Sequence, residues 1–229
     1  MKFRNIMIGV LFDVYNGATP KSTEAEYWDG DIPWVGPSDF GKISGRYISQ
    51  GERSITQEGY ESCGTRIVPA GSIIVSIRAP IGHMAIAQQA MCFNQGCRGL
   101  VPRELICSEF AYWALHAHRP FLEAAGQGTT FLELSRNKLR SEKIPVPSLD
   151  EQKRICDFLD REVAEIDRVI GRVGGLPSAK LAAPNSFLGY LMEKRFALIR
   201  ASVTGRLDTS SLEVSAGKPH RNVKRGARA

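Results

Sequence analysis

Residues 144–173 read IPVPSLDEQKRICDFLDREVAEIDRVIGRV, and here the chain changes character. Pro145 and Pro147 oppose a helix up to that point. Ser148 and Glu151 then stand at the spacing of a capping box, in which hydroxyl and carboxylate each satisfy a backbone N–H left free at the helix start. The pattern predicts a helix from Ser148 to about Val173. Along it Cys156, Leu159, Val163, Ile166, Ile170 and Val173 recur at intervals of 3, 4, 3, 4 and 3 residues. Such a heptad seam suits a coiled coil. A helix packed on a core can carry the same short pattern, and spacing alone leaves both open.

Beyond the seam, the stretch 174–186 (GGLPSAKLAAPNS) breaks the helix with two glycines and two prolines. A second helix is expected at about 186–203, with Met192, Phe196, Ile199 and Val203 on one stripe. The two helices form either an antiparallel hairpin or an end-to-end rod, and residues 148–208 read as a helical spacer. Residues 209–229 form a basic tail expected to be disordered. From Ala216 to Ala229 it holds Lys218, Arg221, Lys224, Arg225, Arg228 and no acid. Without those five, the 30 Lys and Arg fall to 25, against 24 Asp and Glu. Five of the six formal positive charges therefore belong to the tail, and a nucleic acid would need a local patch on a nearly neutral body.

On the other side of the seam, residues 1–147 read as one mixed, strand-rich domain punctuated by Gly and Pro. Ser72–Arg78 (SIIVSIR) is the clearest strand, with Ile67–Val68 and Met84–Ala87 expected nearby. Ser108–Ala117 is expected to be a helix capped by Ser108, and Leu132–Arg140 a second, shorter one. The opening MKFRNIMIGVLFDVYNG is interrupted by Asp13 and reads as part of the fold rather than a signal peptide. The class is α+β: a globular mixed α/β body followed by a helical, coiled-coil-like spacer.

Several function classes lack their residues. The five cysteines (63, 92, 97, 107, 156) form no CxxC pair and read as buried free thiols of a reducing cytoplasm, not as metal ligands. No apolar run approaches 18 residues, so no transmembrane helix is expected. There is no Walker loop, HExxH, GxSxG or methyltransferase Asp/Asn-Pro-Pro-aromatic motif. His83, His116 and His118 are scattered, and Asp29 and Asp31 read as turn formers. No cofactor is expected, and no catalytic residue.

An ordered set of short segments does carry a resemblance. Thr19-Pro20, Tyr27-Trp28 and Asp31-Ile32-Pro33-Trp34-Val35 open it. Ile77-Arg78-Ala79-Pro80-Ile81-Gly82, Phe93-Asn94-Gln95-Gly96 and Gly128-Thr129-Thr130 follow. Ile144-Pro145-Val146-Pro147-Ser148-Leu149-Asp150-Glu151-Gln152, Glu165-Ile166-Asp167, Glu193-Lys194-Arg195, Leu198-Ile199 and Val203-Thr204-Gly205-Arg206-Leu207 close it. Over about residues 10–208 the chain resembles one half of the specificity subunit of type I restriction–modification enzymes. The resemblance implies a DNA target-recognition domain at 1–147 and a spacer that holds methyltransferase (modification) subunits, with a restriction–translocase subunit as a further partner. It implies no activity in this chain, since chemistry in that family belongs to the other subunits. Family members usually carry two recognition domains and two helical regions. One of each implies a half-subunit that forms a homodimer reading a bipartite palindrome, or a truncated gene. Two alternatives stay open: a detached recognition part of a single-chain methyltransferase–nuclease, and an assembly-only remnant.

Residues shared across such a family cannot set which bases are read, so Trp34, Pro80, Gly82 and Gly96 are expected to be scaffold. Base and phosphate contacts are expected from loop side chains: Ser38, Lys42, Arg46, Gln88, Gln89, Gln127, Thr129 and Thr130, with Arg136, Lys138 and Arg140 as phosphate binders. Arg78 stands between that role and pairing with a buried carboxylate. Leu159, Val163, Ile166, Ile170, Met192, Phe196 and Ile199 are the candidate partner or dimer interface.

Overall fold

The computed structural model describes residues 3–43, 45–126, 133–174 and 187–207. Gln127, Thr129, Thr130, nearly all of the 174–186 break and the basic tail lie outside the described residues. The chain opens with β1 (Arg4–Met7), a one-turn α1 (Ile8–Leu11) and β2 (Phe12–Asn16), so its first stretch is part of the fold. Then come β3 (Trp28–Val35), β4 (Tyr47–Ile48), β5 (Arg53–Ile55), α2 (Gln57–Glu61), β6 (Ile73–Ser76), β7 (Met84–Ala87), β8 (Cys92–Phe93) and β9 (Cys97–Pro102). They are followed by α3 (Ser108–Ala124), α4 (Arg136–Ser141), β10 (Lys143–Val146), α5 (Leu149–Gly174) and α6 (Phe187–Val203). Among the described residues no helix is long and apolar enough to cross a membrane.

A five-stranded sheet ordered β2-β9-β6-β7-β4 forms the middle layer. β6 pairs antiparallel with β9 and β7, with Ile74 opposite Gly99 and Ala85. Strand alternation sends Ile73 and Val75 to one face and Ile74 to the other, and every one of them is buried. Both faces are covered, which is why SIIVSIR reads as an apolar run instead of alternating. One face packs on α3 and α5 through Phe110, Trp113, Leu115, Ile155 and Leu159. The other packs through Val35, Met91 and Phe93 on the sheet β5-β3-β8. β1 and β10 pair separately, with Ile6 opposite Ile144.

Local details differ from the sequence reading for identifiable reasons. Cys107, not Ser108, takes the N-cap position of α3, because the Ser108 hydroxyl donates to the Gly71 carbonyl at 2.6 Å. The helix continues past Ala117 through Pro120 to Ala124 and buries Leu122 in the core. α4 starts later than expected, at Arg136, where the Ser135 hydroxyl accepts from the Lys138 N–H. Met84–Ala87 pairs with β6 as expected, while Val68 bridges Met91 because both edges of β6 are taken by β7 and β9. At α5 the Ser148 hydroxyl accepts from the Glu151 N–H at 3.4 Å, while the Glu151 carboxylate also pairs with Arg154.

The two spacer helices form a hairpin. Arg195 of α6 pairs with Asp167 of α5 at 2.8 Å, and Ile199 and Val203 then run back into the core of the body. α6 ends in a Schellman motif: the Arg206 N–H bonds to the Ala201 carbonyl at 2.9 Å and the Gly205 N–H to that of Ser202 at 3.3 Å. Gly205 takes a φ of 71°, and an added Cβ would meet the Phe3 ring at 2.5 Å. Glycine is required there on both counts.

The seam is divided between two roles. Cys156, Leu159 and Val163 are buried in the same core as α3 and the central sheet, as is Ile199 of α6. Leu159, Val163 and Ile199 therefore spend their apolar surface within this chain, contrary to an open coiled-coil face. Ile166 and Ile170 are half-buried, as is Phe196, and Met192 is 56% exposed beside Phe187 and Tyr190. The seam and stripe residues that the core does not cover thus lie toward the far end of the hairpin.

Candidate nucleic-acid interface

The bottom of β9 and the turns around it gather arginines from four places in the sequence. Arg98 lies on β9, opposite Asn16 of β2 and Val75 of β6. Its guanidinium donates to the Gln95 carbonyl at 3.0 Å and to that of Cys97 at 2.8 Å, while its Nε is buried without a hydrogen-bond partner among the described residues. Arg78, just past β6, donates from Nε to Glu133 at 3.0 Å, and that carboxylate also lies 3.9 Å from Arg98. Arg136 opens α4 and donates to the Val14 carbonyl at 2.8 Å. Exposed Arg66 lines a shallow hollow with Arg136, Val14, Tyr15 and Asn16. Burial lowers the pKa of Arg98. Glu133 opposes that shift, while Arg78 and Arg136 reinforce it. The cluster is short of negative charge, the condition in which an added phosphate is bound favourably.

Polar groups able to read bases adjoin the arginines. Asn94 accepts the Gly96 N–H at 2.6 Å and donates to the Thr19 hydroxyl at 2.8 Å, and Thr19 bonds in turn to Gln95. A Cβ on Gly96 would meet Pro37 at 3.2 Å and Arg78 at 3.6 Å, which places the turn carrying exposed Ser38 on the same face. Gly96 thus acts as scaffold by close approach. Trp34 does so by burial, and Gly82 by its φ of 80°.

Of the described sequence candidates, Ser38, Arg78 and Arg136 come together here, and Lys42, Arg46, Gln88, Gln89, Lys138 and Arg140 do not. Lys42 pairs with Glu52, and Gln89 donates to the Ser49 carbonyl at 2.6 Å. Gln89 and Glu52 line a hollow with Asp29, Asp31 and Arg53, where three carboxylates against one guanidinium are an unfavourable setting for phosphate. Gln88 is exposed beside Gln89. Lys138 pairs with Glu142 at 2.9 Å, and Arg140 packs against Gly9 near Asp13. Arg98, Arg66, Asn16 and Gln95 were missed. Arg98 had a usable signal, a single charge inside the otherwise apolar strand CRGLV.

Arg46 has a different task. Both its Nη atoms bond to Asp160 of α5, one at 2.7 Å, and this hydrogen bonding holds its pKa above the ordinary value. Its guanidinium also lies 5.5 Å from the Trp113 ring, while Arg195 approaches that ring at 6.0 Å. Two cations, each with its own carboxylate, thus clamp one indole and tie both spacer helices to the body. His116 sits beside this clamp with Nδ1 buried and unpartnered among the described residues. Burial first, and then Arg195 and Arg119, push its pKa down to about 4. The unfolded chain therefore binds a proton near pH 6.5 that the folded chain refuses. Stability is full above pH 6.5 and is expected to fall by about 3 kcal/mol as pH drops to 4. Denaturant unfolding across that range checks this, and His116→Phe should remove most of the slope.

Comparison with known proteins agrees with this architecture. The family model for the type I restriction modification DNA specificity domain matches residues 2–169. The MjaIX type I restriction enzyme specificity subunit of Methanocaldococcus jannaschii is 40% identical over 149 residues, covering 64% of this chain and 34% of that protein. An Escherichia coli type I specificity subunit is 31% identical over 161 residues, covering 67% of this chain and 39% of that protein. The crystal structure of the HsdS subunit from Thermoanaerobacter tengcongensis superposes with a TM-score of 0.60 at 21% identity, over 90% of this chain and 46% of that one. A structure from a study of type I restriction–modification complex assembly gives 0.61 at 23% identity. The chain thus spans about a third of the length of its curated relatives and about half of its structural neighbours. With the family model covering most of its length and the fold in agreement, the chain belongs to the type I restriction–modification DNA specificity domain family.

Proposed function

We propose that this chain is a DNA-recognition subunit without catalysis of its own, in which residues 1–147 read the duplex and the helices of 148–208 hold other subunits. The observation that carries the reading is the arginine cluster in which Arg78 and Arg98 flank Glu133 while Arg136 and Arg66 line the adjoining hollow with Asn16, edged by Ser38 and Gln95. The arginines take the phosphates and position the body. The amide and hydroxyl side chains at the edge address base edges. Methyltransferase subunits are the partners that the family suggests for the spacer, with a restriction subunit beyond them. Methyl transfer and cleavage belong to those subunits.

The far end of the hairpin, with Ile166, Ile170, Tyr190 and Met192, is the surface we assign to self-association. A two-fold pair would present two identical reading faces. Selection of bound duplexes from a randomised pool by the full chain is therefore expected to enrich an inverted repeat with a gap of fixed length. No enrichment at all would favour an assembly-only role. An asymmetric bipartite motif would mean that the chain pairs with a different half, and a contiguous motif would reject the pair.

A further inference from the structure

Cys107 and Cys156 are brought together where α5 meets the body. Gln152, wholly buried on α5, accepts the Cys107 N–H at 2.9 Å and donates to the Leu105 carbonyl at 2.8 Å and that of Pro147 at 3.1 Å. It clamps the segment leading into α3 against α5. Cys156 lies one turn further along the same helical face, buried in the core on which Cys107 packs. The coupling between the two thiols is the largest influence on each: it lowers the Cys107 thiol to about 7 and raises that of Cys156, so Cys107 is the sulfur that ionises. Cys107 is also half-buried rather than buried, at the N-terminus of a 17-residue helix where the Phe110 N–H favours a thiolate.

We propose that Cys107 and Cys156 form an oxidisable dithiol, a modification site at which a hydroperoxide converts the non-covalent seat of α5 into a disulfide staple. The Cys107 thiolate attacks the peroxide, breaking the O–O bond and forming S–O, and the leaving oxygen departs as water or alcohol after taking a proton. The Cys156 sulfur then attacks the sulfenic sulfur of Cys107. S–S forms, S–O breaks, and hydroxide leaves as water with the Cys156 proton. Two thiols lose two electrons and one peroxide is reduced. The remaining cysteines are placed differently. Burial pushes Cys92 and Cys97 up to about 12, so neither supplies a thiolate at neutral pH. Cys63 lies on the far side of the central sheet, after α2, with its thiol at the Gly59 carbonyl. The first-formed sulfenic acid at Cys107 thus meets a thiol at one place. The staple closes a loop of about 50 residues in the unfolded chain, long enough for a disulfide to be strongly stabilising.

The reduced full chain, treated with stoichiometric hydrogen peroxide at pH 7.5 and mapped without reduction, is expected to lose 2 Da and to yield a peptide pair joined through Cys107 and Cys156. Its melting temperature should rise by roughly 5–10 °C and return on adding dithiothreitol. Cys107→Ser and Cys156→Ser should each abolish both changes, and Cys63→Ser should preserve them. Mapping of the wild-type protein decides the matter even if a variant folds poorly. The proposal is overturned if both thiols stay reduced, if Cys107 proceeds to sulfinic acid without forming the link, or if the link runs through Cys63.

Discussion

Leu159→Ala is expected to lower the free energy of unfolding by about 2–5 kcal/mol, while Ile170→Asp is expected to leave stability within about 1 kcal/mol and abolish self-association. Both residues stand on one heptad seam, and only their surroundings differ. Leu159 is wholly buried against α3 and the central sheet, so truncation removes dispersion contacts and leaves a cavity that the packed body cannot close. Ile170 is half-buried towards the far end of the hairpin, where a carboxylate keeps much of its hydration but spoils an apolar contact with a second copy. In a domain of this size each kcal/mol moves the melting temperature by about 2–4 °C, so Leu159→Ala should melt roughly 5–15 °C earlier. Thermal unfolding and sedimentation velocity on both variants separate the two effects. If Ile170→Asp still self-associates, the far half of the seam is no interface. If Leu159→Ala melts with the wild type, its burial contributes nothing.

That contrast also marks how far the sequence could be read. A 3-4 spacing reports that one face of a helix is apolar and is silent about what covers it. The same six residues suited a coiled coil and a core helix, and the protein buries Cys156, Leu159 and Val163 in its core while leaving Ile166 and Ile170 half-buried. Local signals transferred well where the decisive partner was near in sequence. SIIVSIR, bounded by Gly71 and Pro80, is a strand, and the glycine of the Val203–Leu207 segment closes α6. They failed where the partner was remote. Ser108 had the chemistry of an N-cap, but the Gly71 carbonyl claims its hydroxyl. Arg46 looked like a DNA contact until Asp160, 114 residues away, took its guanidinium. The arginine face could not be assembled from the sequence, since its members come from a loop, two strand ends and a helix start. Their company on one surface is a product of the β2-β9-β6 pairing.

The salt dependence of DNA binding provides the largest expected change and the sharpest test of that face. Each phosphate neutralised contributes a slope of about −0.9 to log K against log salt. Four arginines per body therefore predict about −3.6, a weakening of roughly 150-fold between 50 and 200 mM salt. Arg66 and Arg78 are the members least committed to backbone carbonyls: Arg66 is exposed, and Arg78 bonds to a carboxylate that is itself part-exposed. Their loss should cost little stability, since an exposed ion pair contributes about 0–1 kcal/mol. The double variant Arg66→Ala/Arg78→Ala should retain a slope of about −1.8 per body and weaken only roughly 12-fold over the same range. Glu133→Gln should act in the opposite sense. It removes the carboxylate that pairs with Arg78 and adjoins Arg98, so a phosphate meets two cations free of internal competition and binding at 200 mM salt should tighten severalfold. Lys42→Ala, beside Glu52 and away from the cluster, is the control expected to change neither slope nor affinity. Fluorescence anisotropy of a labelled duplex over a salt series reads the three variants against the wild type. A slope unchanged in the double variant, or one that falls as far in Lys42→Ala, would place the phosphate-binding face elsewhere on the body. Weaker binding by Glu133→Gln would mean that the carboxylate orients the arginines for DNA rather than competing with it.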